Sequence, residues 1–172
     1  SQNQREESGG RMKEVEYVVG LDLGTKCGWA VLRPDGTRVD SGTWDFATQR
    51  HEGGGMRYVR FANKLRDLFN NRDQYSIHVA FEEVRRHRGV TAAHIYGGLM
   101  ATLQSVLELD KHPYVSIPVG TIKRHATGKG NAPKELMISS ALARWQEEGW
   151  QLQDDNEADA LWVASAYLAG LF

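Results

Sequence analysis

The sequence predicts an α/β protein built on one mixed five-stranded sheet with helices packed against it. Three β-rich runs joined by short turns, residues 15–23, 28–32 and 37–46, open the chain and form an antiparallel meander. Two later β-rich runs, 76–81 and 114–119, are predicted as parallel strands because a helical segment precedes each of them. Helical periodicity elsewhere gives the order βββαβαβαα, which favours a single sheet flanked by helices.

Apolar residues at helical spacing support the helices of this fold. The third and fourth helices are predicted over about 133–148 and over 155–168, and the Gly/Lys-rich segment 123–134 is predicted as a connection. Gly97-Gly98 inside the second helix indicates either close packing or a break. The apolar faces of the first two helices are formed by Tyr58, Phe61, Leu65 and Leu68, and by Ile95, Leu99, Leu103 and Val106.

Composition limits the class of protein. A chain of 172 residues with 41% hydrophobic and 25% charged residues is typical of one globular domain, which we expect over 14–172, after a disordered tail at 1–13. No apolar run approaches the ~20 residues of a membrane span, and no signal peptide is recognisable. The single cysteine, Cys27, excludes an intrachain disulfide framework and is predicted to be a small buried strand residue. We therefore expect a cytoplasmic protein that is not secreted.

Charge is distributed unevenly although the net charge is only −1. Between residues 84 and 134 basic residues far outnumber acidic ones, whereas residues 147–159 carry only acidic charges. A basic region beside a carboxylate cluster suits a metal-dependent nuclease, and an unevenly charged solvated surface is the alternative. The basic residues that we expect to contact DNA are Arg85, Arg86, Arg88, Lys123, Arg124, Lys129 and Lys134.

Acidic residues occur where a sheet could gather them. Asp22 lies in the apolar first strand, where a charge is costly without a partner or a metal, and Glu82 ends the fourth strand. Asp155 and Asp159 lie four residues apart at the start of the last helix, so both project from one face. A site of three or four carboxylates suits Mg²⁺ or Mn²⁺, and two such ions about 4 Å apart can clamp a phosphodiester. No Cys/His spacing indicates zinc.

Each of these carboxylates also has a structural interpretation. Asp22 is followed by Gly24-Thr25 and could be a turn residue, and Glu82 could be a solvated charge at a strand end. Asp154 and Glu157 form a D-x-x-E capping box, and for these two residues the structural interpretation is favoured. No single carboxylate therefore indicates a metal site. The indication comes from their order along the chain and from their positions at strand ends and in the last helix.

Four segments resemble, in the right order, motifs of the RuvC-type Holliday-junction resolvases, which belong to the ribonuclease H-like superfamily and have viral and phage branches. The resemblance runs from about residue 17 to residue 168. The segments are Gly20-Leu21-Asp22-Leu23-Gly24, Val79-Ala80-Phe81-Glu82-Glu83-Val84, Ala132-Pro133-Lys134-Glu135-Leu136-Met137 and Glu157-Ala158-Asp159-Ala160-Leu161.

This resemblance implies a structure-selective endonuclease of DNA recombination and repair, associated with nucleoid or viral DNA. It implies that Asp22, Glu82 and Asp159 bind two Mg²⁺ ions, with Mn²⁺ able to substitute, and that Lys123 and Lys134 contact the scissile phosphates, Lys134 as a catalytic residue. It also implies a homodimer that nicks two opposed strands of a four-way junction. We expect the second predicted helix, with its two central glycines, to lie near the interface, because opposed nicks need sites related by a dyad.

Three positions depart from the family pattern. Leu23 stands where many relatives have proline, and this departure is expected to matter little. Arg85 stands where relatives have an aromatic wedge, so recognition here is expected to rely on charge. Asn156 stands where relatives place a fourth ligand, three residues before Asp159. At ~100° per residue, Asp155 lies about 40° from Asp159 around the helix and Asn156 about 60° away on the other side. A neutral amide is a weak Mg²⁺ ligand, so helical geometry favours Asp155 and the family pattern favours position 156.

Other functions remain as alternatives. Residues 20–25 also resemble the first phosphate loop of the actin, heat-shock ATPase and sugar-kinase superfamily, although those proteins need two such domains to enclose a nucleotide. A ribonuclease H-like nuclease acting on RNA or on other branched DNA is the second alternative, and a catalytically silent DNA-binding module is the third. ATP hydrolysis, metal-dependent cleavage and a comparison of linear with branched substrates would separate them.

Three tryptophans and one histidine near the predicted site receive structural interpretations. Trp145, Trp150 and Trp162 lie on or near the last two helices and are predicted as core residues, not as a platform for bases. His125 lies in the basic region and is predicted as solvated surface, with a phosphate or water-activating role as the alternative.

Overall fold

The structure, a computed structural model, describes residues 14–72 and 74–172. The interpretation of residues 1–13 as a disordered tail lies outside the described residues. The strands are β1 (Tyr17–Asp22), β2 (Lys26–Leu32), β3 (Arg38–Asp45), β4 (Ile77–Glu83) and β5 (Tyr114–Pro118). The helices are α1 (Met56–Asn70), α2 (Val90–Asp110), α3 (Val119–Thr127), α4 (Lys134–Trp145) and α5 (Asp155–Leu168).

The strands form one five-stranded sheet in the order β3-β2-β1-β4-β5. The pairs β1–β2 and β2–β3 are antiparallel, whereas β1–β4 and β4–β5 are parallel, so the predicted mixed sheet is confirmed. Leu21 of β1 pairs with Phe81 of β4. Because the two strands run in the same direction, the residues that follow, Asp22 and Glu82, emerge side by side at one end of the sheet.

Helices cover both faces of the sheet, and this explains the nearly continuous apolar run in β1. On one face Val19 and Leu21 pack in a core with residues of α1 and α2. On the other face Val18 packs with residues of α3, α4 and α5. Cys27 is fully buried in the first of these cores, so its predicted structural role is confirmed.

Two glycines let α5 approach the sheet closely. A Cβ atom added at Gly28 would lie 1.8 Å from the carbonyl oxygen of Asn156, and one added at Gly20 would lie 2.3 Å from the carbonyl oxygen of Ala160. Any side chain at either position would collide with the backbone of the helix. The main chain of α5 therefore rests directly on β1 and β2, with no side chain between them.

The structure differs from the prediction in the helices. The segment 123–134, expected to be a connection, begins inside α3, which starts at Val119 directly after β5, and α4 ends at Trp145, three residues before the predicted 148. Helix α2 is continuous through Gly97-Gly98, so the break is wrong and the close packing is confirmed. A Cβ at Gly98 would lie 2.4 Å from the ring of Tyr58 in α1. Within the two described ranges, no helix is both long and apolar enough to cross a membrane.

Candidate metal centre

Three of the predicted carboxylates meet at one end of the sheet. Asp22 is the last residue of β1, Glu82 lies near the end of β4, and Asp159 lies in the second turn of α5. One carboxylate oxygen from each residue lies within 4.8 Å of the corresponding oxygens of the other two. This convergence follows from the parallel register of β1 and β4 and from the close contact of α5 with the sheet.

The three carboxylates are poorly compensated electrostatically. Burial and the charges of Glu82 and Asp159 raise the pKa of Asp22 well above its usual value. Burial and the charges of Glu82 and Asp155 raise the pKa of Asp159 to about 7. Burial also raises the pKa of Glu82, against the opposing effects of a hydrogen bond with Asp22 and the charge of Lys123. Such a cluster favours bound protons or bound cations.

Asp155 lies at the rim of this cluster. Its side chain is 26% exposed, and its Oδ1 atom lies 3.6 Å from Nζ of Lys134. Its charge contributes to the raised pKa values of both Asp22 and Asp159. The structure thus brings Asp155 near the three carboxylates, although it is not one of the three that converge within 4.8 Å.

The predicted basic residues occupy two surfaces near the carboxylates. Lys123 of α3 lowers the pKa of both Glu82 and Asp159 through its charge, which shows that it lies near them. Lys134 begins α4 with its side chain 62% exposed. Arg124, in the last turn of α3, and Lys129, two residues after the end of that helix, are both exposed. Arg85, Arg86 and Arg88 form an exposed loop between β4 and α2, in which Nε of Arg85 lies 3.1 Å from Oε1 of Glu83.

Asp154 and Glu157 act as the cap of α5, as the D-x-x-E spacing predicts. Asp154 accepts hydrogen bonds from the Glu157 amide at 3.0 Å and from the Thr43 hydroxyl at 2.6 Å. Burial opposes the effect of these bonds, but they and hydrogen bonding from Asn156 lower the pKa of Asp154.

Glu157 completes the cap from a buried position. It is 1% exposed and accepts hydrogen bonds from the Ser41 hydroxyl at 2.6 Å, the Gln153 amide at 2.7 Å and Nε1 of Trp150 at 3.2 Å. The bond to Gln153 reaches one residue further upstream than a standard capping box does. These contacts anchor the start of α5 to β3 and so help to hold Asp159 over the sheet.

Tyr96 is a residue of this region that the sequence interpretation missed. Its hydroxyl donates to the carbonyl oxygen of Glu82 at 2.8 Å and accepts from the Val84 amide at 3.2 Å. These bonds fix the end of β4 to α2. The predicted apolar face assigned Ile95 to the core, but Tyr96 is the more deeply buried of the two. An amphipathic aromatic residue on the apolar face was the available signal.

His125 and the tryptophans are packing residues. Nε2 of His125 lies 2.9 Å from the Ser165 hydroxyl, and the ring packs edge-on against Trp162, so the expected solvated position of His125 is wrong. Trp145 and Trp162 are buried, as predicted, and Trp150 packs beside them at the edge of the same core.

A mixed sheet in this strand order, with carboxylates at the ends of β1 and β4 and in the last helix, defines a ribonuclease H-like fold. The chain is similar to a structure of T. thermophilus RuvC in complex with Holliday junction substrate, with a TM-score of 0.72 and 20% identity over 87% of this chain and 90% of that one. A second Thermus thermophilus RuvC structure has a TM-score of 0.73 and 20% identity, over 90% of this chain and 97% of that one. No protein-family model and no curated protein sequence matches the chain. The predicted resemblance is confirmed as a likeness of fold.

Proposed function

We propose that the protein is a metal-dependent DNA endonuclease that resolves four-way junctions by paired, symmetric nicks. The observation that carries this proposal is the convergence of Asp22, Glu82 and Asp159 within 4.8 Å, without enough neighbouring positive charge to keep their pKa values low. The fold supports it, because the similar T. thermophilus protein has a structure in complex with Holliday junction substrate.

The residues at the centre fit hard divalent cations. All three converging side chains offer carboxylate oxygen, the donor that Mg²⁺ and Mn²⁺ prefer, and none offers nitrogen or sulfur. We propose two such ions for each site. When bound, they supply activation of the attacking water and stabilisation of the leaving oxygen. The contribution of the chain is to hold the carboxylates in place through the register of β1 with β4 and the cap of α5.

Asp155 is the proposed fourth carboxylate of the site. Its charge acts on both Asp22 and Asp159, whereas Asn156 offers only a neutral amide, which is a weak ligand for Mg²⁺. We expect Asp155→Asn to lose most cleavage activity and Asn156→Ala to retain most of it, in single-turnover assays over a range of Mg²⁺ concentrations. An active Asp155→Asn together with an inactive Asn156→Ala would transfer the role to position 156.

The basic surfaces are proposed to bind the DNA backbone. Lys123 and Lys134 would contact the scissile phosphates, since Lys123 acts electrostatically on the carboxylates and Lys134 lies 3.6 Å from Asp155. The exposed loop with Arg85, Arg86 and Arg88, together with Arg124 and Lys129, would contact the flanking phosphates. Such contacts position DNA without reading its sequence.

A two-fold homodimer would place two sites on opposed strands. The outer surface of α2 is suited to self-association, because a Cβ at Gly97 would meet open space and Ala101 beside it is exposed. Small residues allow two helices to approach closely, and a closed isologous contact supplies the required dyad. Sedimentation should therefore give a dimer, and a monomer both with and without junction would contradict this arrangement.

The direct test compares a labelled immobile four-way junction with a linear duplex of matching sequence in the presence of Mg²⁺. We expect paired nicks near the junction centre and a largely intact linear duplex. Equal cleavage of both substrates would exclude the resolvase function and leave a less selective nuclease. Absence of metal-dependent cleavage of any nucleic acid would exclude the nuclease function.

A further inference from the structure

A groove opens beside the three carboxylates. One of its walls is the turn after β1, residues 23–25, and the other is formed by Val84, the following loop and the first turns of α2. Asp22 directly precedes the first wall, and Glu82 lies two residues before the second. The groove holds about 460 Å³, within the roughly 300–1,000 Å³ of typical small-ligand pockets.

The lining of the groove combines flat rings, small side chains and a few polar groups. The rings of His87 and Tyr96 pack together with centroids 4.8 Å apart. The Tyr96 hydroxyl is already bonded to the carbonyl of Glu82, which leaves its ring as contact surface. Thr91 and Ala92 line the helix side with little bulk, and Thr25 lines the opposite wall. A planar heterocycle with polar edges matches such a surface.

Charge distinguishes this groove from another large cavity of the described ranges. That cavity, about 530 Å³ between α1 and the β2–β3 part of the sheet, has acidic and basic residues in equal number in its lining, Asp40 and Asp67 with Lys64 and Arg72, whereas the described lining of the groove contains no acidic residue. The groove beside the carboxylates has Arg88 in its lining, and the exposed Arg85 and Arg86 belong to the same loop. A DNA strand whose phosphate lies at the carboxylates therefore finds positive charge along this wall.

We propose that the groove binds one unpaired nucleobase of the cleaved strand, adjacent to the phosphate at the carboxylates. This proposal rests on the endonuclease function proposed above and adds a source of selectivity to it. Removing a base from a duplex stack costs a few kcal/mol and costs least where the base is already unpaired. A branch point supplies such a base and a linear duplex does not, so the groove favours branched DNA.

The first arm of the experiment removes either the base or the space for it. Four-way junctions carry an abasic nucleotide at each position flanking the cleaved phosphodiester, and Ala92→Leu fills the groove from an exposed position of α2. Ala143→Leu, at an exposed alanine of α4, is the matched control. Stacking of one base is worth about 1–3 kcal/mol, so we expect one abasic position to slow single-turnover cleavage by about 5–150-fold. Ala92→Leu should cleave the intact junction more slowly by a similar factor, and its cleavage rate should no longer change when that position is made abasic.

The second arm measures base placement without cleavage. The fluorescence intensity of a 2-aminopurine at the same position, in EDTA, should change when wild type or Ala143→Leu binds the junction, and that change should be lost with Ala92→Leu. Normal nicking without any abasic or 2-aminopurine response would overturn the groove proposal alone. An Ala92-dependent fluorescence change without nicking of any junction would support the groove and overturn the endonuclease function. A variant Ala92→Leu that keeps both wild-type responses would also overturn the groove proposal.

Discussion

Two groups of carboxylates lie close together around the start of α5, and they differ in the number of hydrogen-bond donors around them and in the direction of their pKa shifts. Asp154 and Glu157 accept hydrogen bonds from hydroxyl, indole and backbone groups, and the pKa of Asp154 is lowered. Asp22, Glu82 and Asp159 mainly face one another, and their pKa values are raised.

The difference shows that burial alone does not identify a metal site. Glu157 is among the most buried residues of the chain, yet its three donors give it a structural role. What distinguishes the other group is the shortage of donors around converging negative charges. A buried carboxylate that lacks donors requires a proton or a cation, whereas one that has them contributes to stability.

The largest expected effect concerns cleavage. Asp22→Asn, Glu82→Gln and Asp159→Asn should each abolish nicking of a four-way junction, because each removes a negative oxygen donor from the proposed ion sites. Junction binding, measured by mobility shift, should persist because the basic surfaces supply it. Asp154→Asn is the matched control and should still nick. Near wild-type cleavage by any of the first three variants would remove that residue from the site.

A smaller effect is expected on stability. Three hydrogen-bond donors face the Glu157 carboxylate. Glu157→Gln replaces one of its acceptor oxygens by an NH₂ group, which cannot accept from them, so it should lower the free energy of unfolding by about 2–3 kcal/mol. Urea unfolding measures this loss. The Mg²⁺ concentration that half-saturates cleavage should stay unchanged below the unfolding transition. A fully stable Glu157→Gln would show that the cap is not maintained by the carboxylate charge.

The smallest effect concerns how the free energy of unfolding depends on pH, where Asp159 and Asp154 should contribute with opposite signs. The raised pKa of Asp159, about 7 in the folded protein, means that the unfolded carboxyl ionises first, so in EDTA wild type loses stability as the pH rises from about 4. Asp159→Asn removes this loss and should be about 1–2 kcal/mol more stable than wild type at pH 8, with no gain below pH ~4.

Asp154 should behave in the opposite way. Its lowered pKa stabilises the fold above the ordinary aspartate pKa, and this contribution disappears as the pH falls through the folded value. Asp154→Asn should therefore be less stable than wild type at neutral pH and equal to it in strong acid. Urea unfolding of both variants at several pH values, in EDTA, tests the pair. Parallel profiles would contradict the electrostatic distinction between the two groups.

The main features of the fold could be predicted because local pattern and tertiary structure agree there. The apolar run of β1 and the β-rich runs bounded by short turns that follow it indicate a sheet directly from the sequence. Helix α3 was missed because Pro118 and Gly120 at its start are turn-forming residues, and its nine residues include β-branched Val119 and Thr121. Its packing against α5 outweighs those weak local preferences.

The candidate site was predictable where a residue contradicts its local surroundings. Asp22 in an apolar strand and Asp159 between two alanines are such contradictions, and both lie at the centre. The donors to Glu157 were not predictable, because Ser41 lies 116 residues away in the chain and only the folded sheet brings it near. The role of Tyr96 was hidden for the same reason, since its partners lie in β4 and the loop that follows.

The contact of α5 with Gly20 and Gly28 has a consequence for how the carboxylates can change during evolution. Backbone rests on backbone there, with a Cβ at Gly28 reaching 1.8 Å from the helix. Side chains in a core can be exchanged in compensating pairs, but a main-chain contact offers no side chain to exchange. The separation between Asp22 and Asp159 is thus insulated from drift in the surrounding core. A variant such as Gly28→Ala would change it in one step, because the backbone of the strand or of the helix must shift to admit the new Cβ atom.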